Sequence, residues 1–192
     1  MNKHNLSMDA LIDRFVATIN RFPREPSIEG EIPPSVRHGE DLLGVFDWRI
    51  TPWPTVDWIV PLEQRLGLAL PPSYRSLVTR YVFPAFEVGP FQMSANTPEG
   101  TPFYEFRNRV FSDQAFVDIL LPAGYIPLGN PFAGNYDQIC FDTQRRKGAA
   151  GECPIVWIDH EEVLCNERIR VLEQVSSSFE AFAEGIVHAY GS

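Results

Sequence analysis

The chain has 192 residues, 44% hydrophobic and 21% charged, with 25 Asp and Glu against 16 Lys and Arg for a formal net charge of −9. That balance fits one soluble globular domain with a full core, or one domain and an extension. Its negative field repels phosphate backbones, which argues against direct nucleic-acid binding and favours a basic partner. From the start of the chain, Ser7 is placed to cap a first helix whose Met8, Leu11, Ile12, Phe15 and Ile19 share one face, and Pro23 and Pro26 stop it. Pro23 to Pro54 is rich in Pro, Gly and charge and reads as an irregular arm. Trp48, Trp53 and Trp58 are expected to pin this arm to the rest, because so much ring surface is costly to leave in water. The expected division is therefore an N-terminal helix and Pro-rich arm over residues 1–55, packed on a main domain over residues 56–192.

The segment Val60-Pro61-Leu62-Glu63-Gln64-Arg65-Leu66-Gly67-Leu68-Ala69-Leu70-Pro71-Pro72-Ser73-Tyr74-Arg75 predicts two short helices with a tight stop between them. Pro61 suits a first helical position, Gly67 a left-handed closing residue, and Pro71 and Pro72 an opening whose stripe runs Tyr74, Leu77, Val78, Tyr81. Phe86 to Ser94 reads as an edge strand or bulge around Pro90, and Phe103 to Val110 alternates like a strand. Ser112 precedes a short helix carrying Phe116, Ile119 and Leu120. Tyr125–Leu128, Gln138–Asp142 and Ile155–Ile158 read as central strands, and Arg168–Leu172 alternates with Ile169 and Val171 inward. Ser177 and Glu180 form a capping box for a last helix striped by Phe179, Phe182, Ala183, Ile186, Val187 and Tyr190. Helices at both ends of a run of short strands predict an α+β fold, with a twisted, mostly antiparallel sheet and helices packed on one side.

The pattern Leu-Glu-x-x-Leu-Gly-x-x-Leu-Pro-x-Ser-Tyr over the paired helices resembles the opening signature of the SUKH superfamily, the Smi/Knr-like proteins. Three later blocks extend the resemblance over roughly Trp58 to Gly191: Gly124-Tyr125-Ile126-Pro127-Leu128-Gly129, then Gly134 to Asp142 with Pro154 to Glu161, then Ser178-Phe179-Glu180-Ala181-Phe182. Two turns depart from the family pattern, at Tyr81-Val82-Phe83-Pro84 and Ala133-Gly134-Asn135. The resemblance implies a non-enzymatic immunity protein that binds and neutralises one cognate bacterial toxin. It also leaves open a regulatory adaptor of the Smi/Knr type that binds several proteins.

Asp159-His160-Glu161 after an apolar strand admits three readings. Asp159 and Glu161 could join Asp142 as oxygen ligands for a hard cation in a small metal-dependent hydrolase, they could form a rim for a basic partner, or they could simply hold a turn. Phe132, Asn135 and Tyr136 on the Gly-rich turn have the composition of interface anchors, so the partner-binding candidates are Phe132, Asn135, Tyr136, Asp142, Asp159, His160 and Glu161. Cys140, Cys153 and Cys165 show neither C-x-x-C spacing nor a catalytic signature, and read as buried, inert thiols in place of a Cys–His nucleophile. Gly124-x-x-x-x-Gly129 lacks the Lys of a phosphate cradle, and Arg145-Arg146-Lys147 reads as a solvated hairpin tip. No cofactor is expected. With no secretory signal and no apolar run near the roughly 18 residues of a membrane span, a cytoplasmic location is expected.

Overall fold

A computed structural model describes residues 7–22, 27–28, 32–39, 45–53, 56–98, 103–131, 136–147 and 151–191. Helix α1 (Met8–Ile19) starts where the Ser7 hydroxyl accepts from the Ala10 amide at 3.3 Å, and it buries Leu11, Ile12, Phe15, Val16 and Ile19. In the arm, β1 (Ser27–Ile28), β2 (Arg37–His38) and β3 (Val45–Trp48) form a small sheet in the order β1-β3-β2, followed by β4 (Thr51–Pro52). The Asn20 amide ties the end of α1 to the end of the arm, donating to the Ile50 carbonyl at 2.9 Å and accepting from the Ile50 amide at 2.8 Å. Trp48 lies on Phe86 with 5.6 Å between rings, and Trp58 on Phe103 with 6.2 Å. Trp53 is 41% exposed, and among the described residues its ring is in no ring–ring contact of this kind.

Helices α2 (Val56–Leu66) and α3 (Pro72–Arg80) form the expected pair. Gly67 follows α2 at φ +67°, a left-handed conformation that a side chain would strain. Pro71 stands at the N-cap position of α3 without a side-chain cap bond, and Pro72 opens the helix. Pro61 departs from expectation: it sits inside α2, because the helix already begins at Val56. Tyr81 does too, since α3 ends at Arg80 and Tyr81 opens β5 (Tyr81–Val82), which pairs with β4. The start of α3 is held from a distance by Glu152, whose carboxylate accepts from the Ser73 amide at 2.7 Å and the Ser73 hydroxyl at 2.8 Å. That places a negative charge at the positive end of the helix dipole.

The main sheet is an antiparallel meander of six strands, each paired with the next in the chain: β6 (Phe86–Val88), β7 (Phe91–Met93), β8 (Tyr125–Pro131), β9 (Gln138–Asp142), β10 (Ile155–Ile158) and β11 (Val171–Ser176). Gly89 (φ +55°) and Pro90 make the turn of the first hairpin. The alternation over Phe103–Val110 does not give a strand. The chain forms α4 (Tyr104–Phe111) there, because the buried residues are Phe103, Phe106 and Val110, spaced three and four apart, and that period is helical. A π-helical segment (Phe116–Leu120) follows α4, and α5 (His160–Asn166) joins β10 to β11. Strand β11 begins only at Val171, and Val171 and Leu172 are 40% and 44% exposed, so the inward placement expected of Val171 does not hold. Helix α6 (Phe179–Tyr190) is capped by Ser178, whose hydroxyl accepts from the Ala181 amide at 2.9 Å, one residue beyond the expected Ser177.

The fold is α+β. Helices α1, α3 and α6 pack together over one face of the sheet. Tyr74 of α3 is central, with its ring 5.0 Å from Phe141, 5.3 Å from Phe179 and 6.4 Å from Phe106. On the opposite face Cys140, Val156 and Ile158 pack under Phe116, Leu120 and Val163, and the described residues cover that face in part. Replacing Glu152 by Ala strips the acceptors from the start of α3 and is expected to lower stability by about 1–2 kcal/mol. Urea denaturation of the purified chain checks this, and an unchanged midpoint contradicts it.

Candidate functional site

Every residue of β9 is buried, so the residues at its start decide the shape of the surface beside it. Asp137, just before the strand, is 6% exposed. Its Oδ1 accepts from the His160 amide at 2.9 Å and stands 2.8 Å from His160 Nδ1, while Oδ2 accepts from the Trp157 indole at 2.8 Å. A buried carboxylate is stable only when its lone pairs are filled, and this one draws its donors from β10 and α5. The start of β9 is thereby locked to both. Asp137 was not among the candidates that sequence patterning singles out.

Asp159 is the N-cap of α5, accepting from the amides of Glu161 at 3.0 Å and Glu162 at 3.2 Å, with the Arg170 guanidinium 3.7 Å away. Glu161 is exposed in the first turn of that helix. The strand ends at Ile158, so Asp159-His160-Glu161 is a strand-to-helix turn. Asp142 does not join it. Gln138 pairs with Ile158, whereas the Asp142 amide bonds to the Pro154 carbonyl at the far end of the strand pair. There Asp142 is 3% exposed and its carboxylate accepts from Arg145 Nε at 2.6 Å. The oxygen site of Asp142, Asp159 and Glu161 is therefore not assembled. Asp137, Asp159 and His160 do bring ligand-type atoms within 4.8 Å of one another, but those atoms are engaged with backbone amides, an indole and each other. The basic run lies in the β9–β10 connection with Arg145 and Lys147 exposed, while Arg145 is paired as above and Arg146 donates to the Ala69 carbonyl.

Phe132 and Asn135 lie outside the described residues. Tyr136 is 75% exposed, with its ring 5.8 Å from that of His160. Together with Gln138 and Asn130, these two rings line a groove of about 680 Å³ over the partly covered face of the sheet. Helix α4 and the turn after it supply the other wall through Tyr104, Glu105, Arg109 and Asp113. Arg109 Nε donates to the Ser94 hydroxyl at 2.6 Å, and burial lowers its pKa while the Glu105 carboxylate opposes that shift. Glu105 also accepts from the Ala95 amide at 3.2 Å, which fixes α4 to the strand end. None of these α4 residues stands out in the sequence, because Phe103–Val110 reads as a strand. The three-and-four spacing of its apolar residues is the signal that finds them.

Two of the three thiols are buried as expected. Burial pushes both up, Cys153 to about 12 and Cys140 further, so neither is a nucleophile at neutral pH. Cys165 on α5 is exposed, contrary to expectation.

Residues 54–185 match the SMI1 / KNR4 family (SUKH-1). No curated protein matches the chain.

Two outcomes follow from this geometry. Asp137→Ala leaves buried donors without an acceptor and is expected to cost about 3 kcal/mol in a denaturant titration, with a loss below about 1 kcal/mol counting against the clamp. A thiol-specific chromogenic reagent at pH 8 is expected to label Cys165 alone in the folded chain and all three cysteines after unfolding. Rapid labelling of Cys140 or Cys153 before unfolding contradicts the burial.

Proposed function

The chain belongs to the SMI1 / KNR4 family and is a protein-binding module of the Smi/Knr and immunity type; within that class we propose that it neutralises a cognate bacterial toxin by covering it, with no bond made or broken. The observation that carries this reading is the groove, a concave surface with exposed rings on both walls, Tyr136 at 75% and Tyr104 at 60% exposure. Rings held at the rim of a rigid depression are the residue type that anchors protein interfaces. The clamp at Asp137 keeps that depression in shape before any partner arrives, which lowers the ordering cost of association.

The contact surface in this reading centres on Tyr136, His160, Asp159 and Glu161, with Phe132 and Asn135 just before Tyr136 in the sequence; Asp142, buried and paired with Arg145 at the far end of β9, is left out of it. The net charge of −9 suits a basic target such as a nuclease domain, through faster encounter at low salt. Residues 1–55 serve as a packed arm on the domain of residues 56–192. Among the described residues, no helix is long and apolar enough to cross a membrane, and the cytoplasm is the compartment this role requires. Burial of Cys140 and Cys153, which raises both thiols, favours a role without a cysteine nucleophile.

The test is coexpression with the toxin domain encoded beside this chain. Wild-type protein is expected to restore growth and to bind with roughly nanomolar affinity or better. Tyr136→Ala is expected to weaken that binding by about 2 kcal/mol, close to thirtyfold. Toxicity that persists at full expression of the wild-type chain contradicts the proposal, and weak capture of several unrelated proteins supports the adaptor role in its place.

A further inference from the structure

One acceptor in the groove lacks a donor. Gln138 is 4% exposed and donates from Nε2 to the Tyr136 carbonyl at 2.7 Å, while its Oε1 has no hydrogen-bond partner among the described residues. Buried side-chain oxygens in that state are uncommon, and at the lining of a cavity they mark a place for an incoming N–H or O–H. Two donors of the lining are already engaged within the chain. The Asn130 amide nitrogen is taken by the Asp137 carbonyl at 3.0 Å, and Arg109 is turned to Ser94 through Nε and balanced by Glu105. Asp113 accepts from the Ala115 amide through Oδ1 at 2.9 Å, and among the described residues its Oδ2 is left for another donor. Two lining carboxylates, Glu105 and Asp113, thus stand against one guanidinium, and buried Asp137 adds a further negative charge behind His160. Exposed π faces at Tyr104 and Tyr136 complete the set.

An unpartnered acceptor, surplus negative charge and open aromatic faces in one depression select a flat, cationic, donor-rich group. We infer that the groove is a receptor for an arginine side chain presented by the partner, with the guanidinium lying on the Tyr136 ring and its N–H fork reaching Gln138 Oε1 and the Asp113 carboxylate. Lysine offers the charge without the planar fork and fits less well. A cation over an exposed ring adds a modest attraction that strengthens as the pair loses water. Because Oε1 is shielded in the empty groove, the Gln138 side chain must move to meet its donor, and that movement can be read directly. The inference rests on the protein-binding role and names the chemistry of what is bound.

The experiment titrates the ¹⁵N-labelled full chain with N-acetyl-arginine amide, N-acetyl-lysine amide and N-acetyl-citrulline amide, the last matching arginine in shape without its charge. Arginine is expected to give saturable shifts at the Gln138 side-chain amide and at the backbone amides of Tyr136 and Arg109, with citrulline about tenfold weaker and lysine in between. Asp113→Asn, a surface change, is expected to weaken the arginine response about fivefold, and Gln138→Met to abolish the site-specific shifts. If Gln138→Met does not fold, Asp113→Asn alone decides. Equal binding of citrulline, shifts scattered over the acidic surface without saturation, or indifference to Asp113→Asn overturns the inference. A partner protein that binds while the groove stays silent to arginine overturns only this inference. A saturable groove response in a chain that neutralises no toxin overturns only the function proposed above.

Discussion

A carboxylate taken out of water is tolerated only where donors surround it, and Asp137 meets that condition with an indole from β10 and both a backbone amide and a ring nitrogen from the first residue of α5. Those donors converge because β9 and β10 are in register, Ile139 opposite Trp157 and Gln138 opposite Ile158, so the residue before β9 is brought beside the Asp159–His160 turn that leaves β10. The turn into α5 then needs a cap, and Asp159 supplies it. The position of His160, the attitude of α5 and one wall of the groove all follow from this arrangement.

The two faces of the sheet divide the work. On one, α1, α3 and α6 close over an aromatic core around Tyr74, where Phe106, Phe141 and Phe179 lie within 6.4 Å of its ring centre. This face holds the fold together through area removed from water. On the other face Phe116, Leu120 and Val163 pack over the sheet, with Ala115, Ile119, Tyr125 and Ile169 at their edge, and the groove lies between α4 and α5. An incompletely covered sheet face is a weakness in a core and an asset in a binding protein, because its floor is already rigid.

Much of the fold is legible in the chain where the signal is local. Gly67, the Pro71-Pro72 opening and the stripes of α1 and α6 each announce themselves within a turn or two. Errors arise where two periods share the same residues. Phe103–Val110 contains both an alternation and a three-and-four spacing, and tertiary packing of Phe103 and Phe106 against Trp58 and Tyr74 chooses the helix. The neighbouring serines Ser177 and Ser178 could each cap α6, and Ser178 does. The site was harder to read. Tyr136 and His160 are identifiable by residue type, but Asp137 acquires its role only from Trp157 and His160, some 20 residues away along the chain. Glu105, Arg109 and Asp113 belong to the site only through the packing of α4 against β8.

The central claim is that this member of the SMI1 / KNR4 family works by covering a partner with the face between α4 and α5. Hydrogen–deuterium exchange of the full chain, free and bound to the toxin domain proposed as its partner, tests it most directly. The account predicts new protection at residues 104–113, 136–138 and 159–164, with α1 and α6 unchanged. Protection confined to α1 and α6, with the groove exchanging as it does in the free chain, would contradict it.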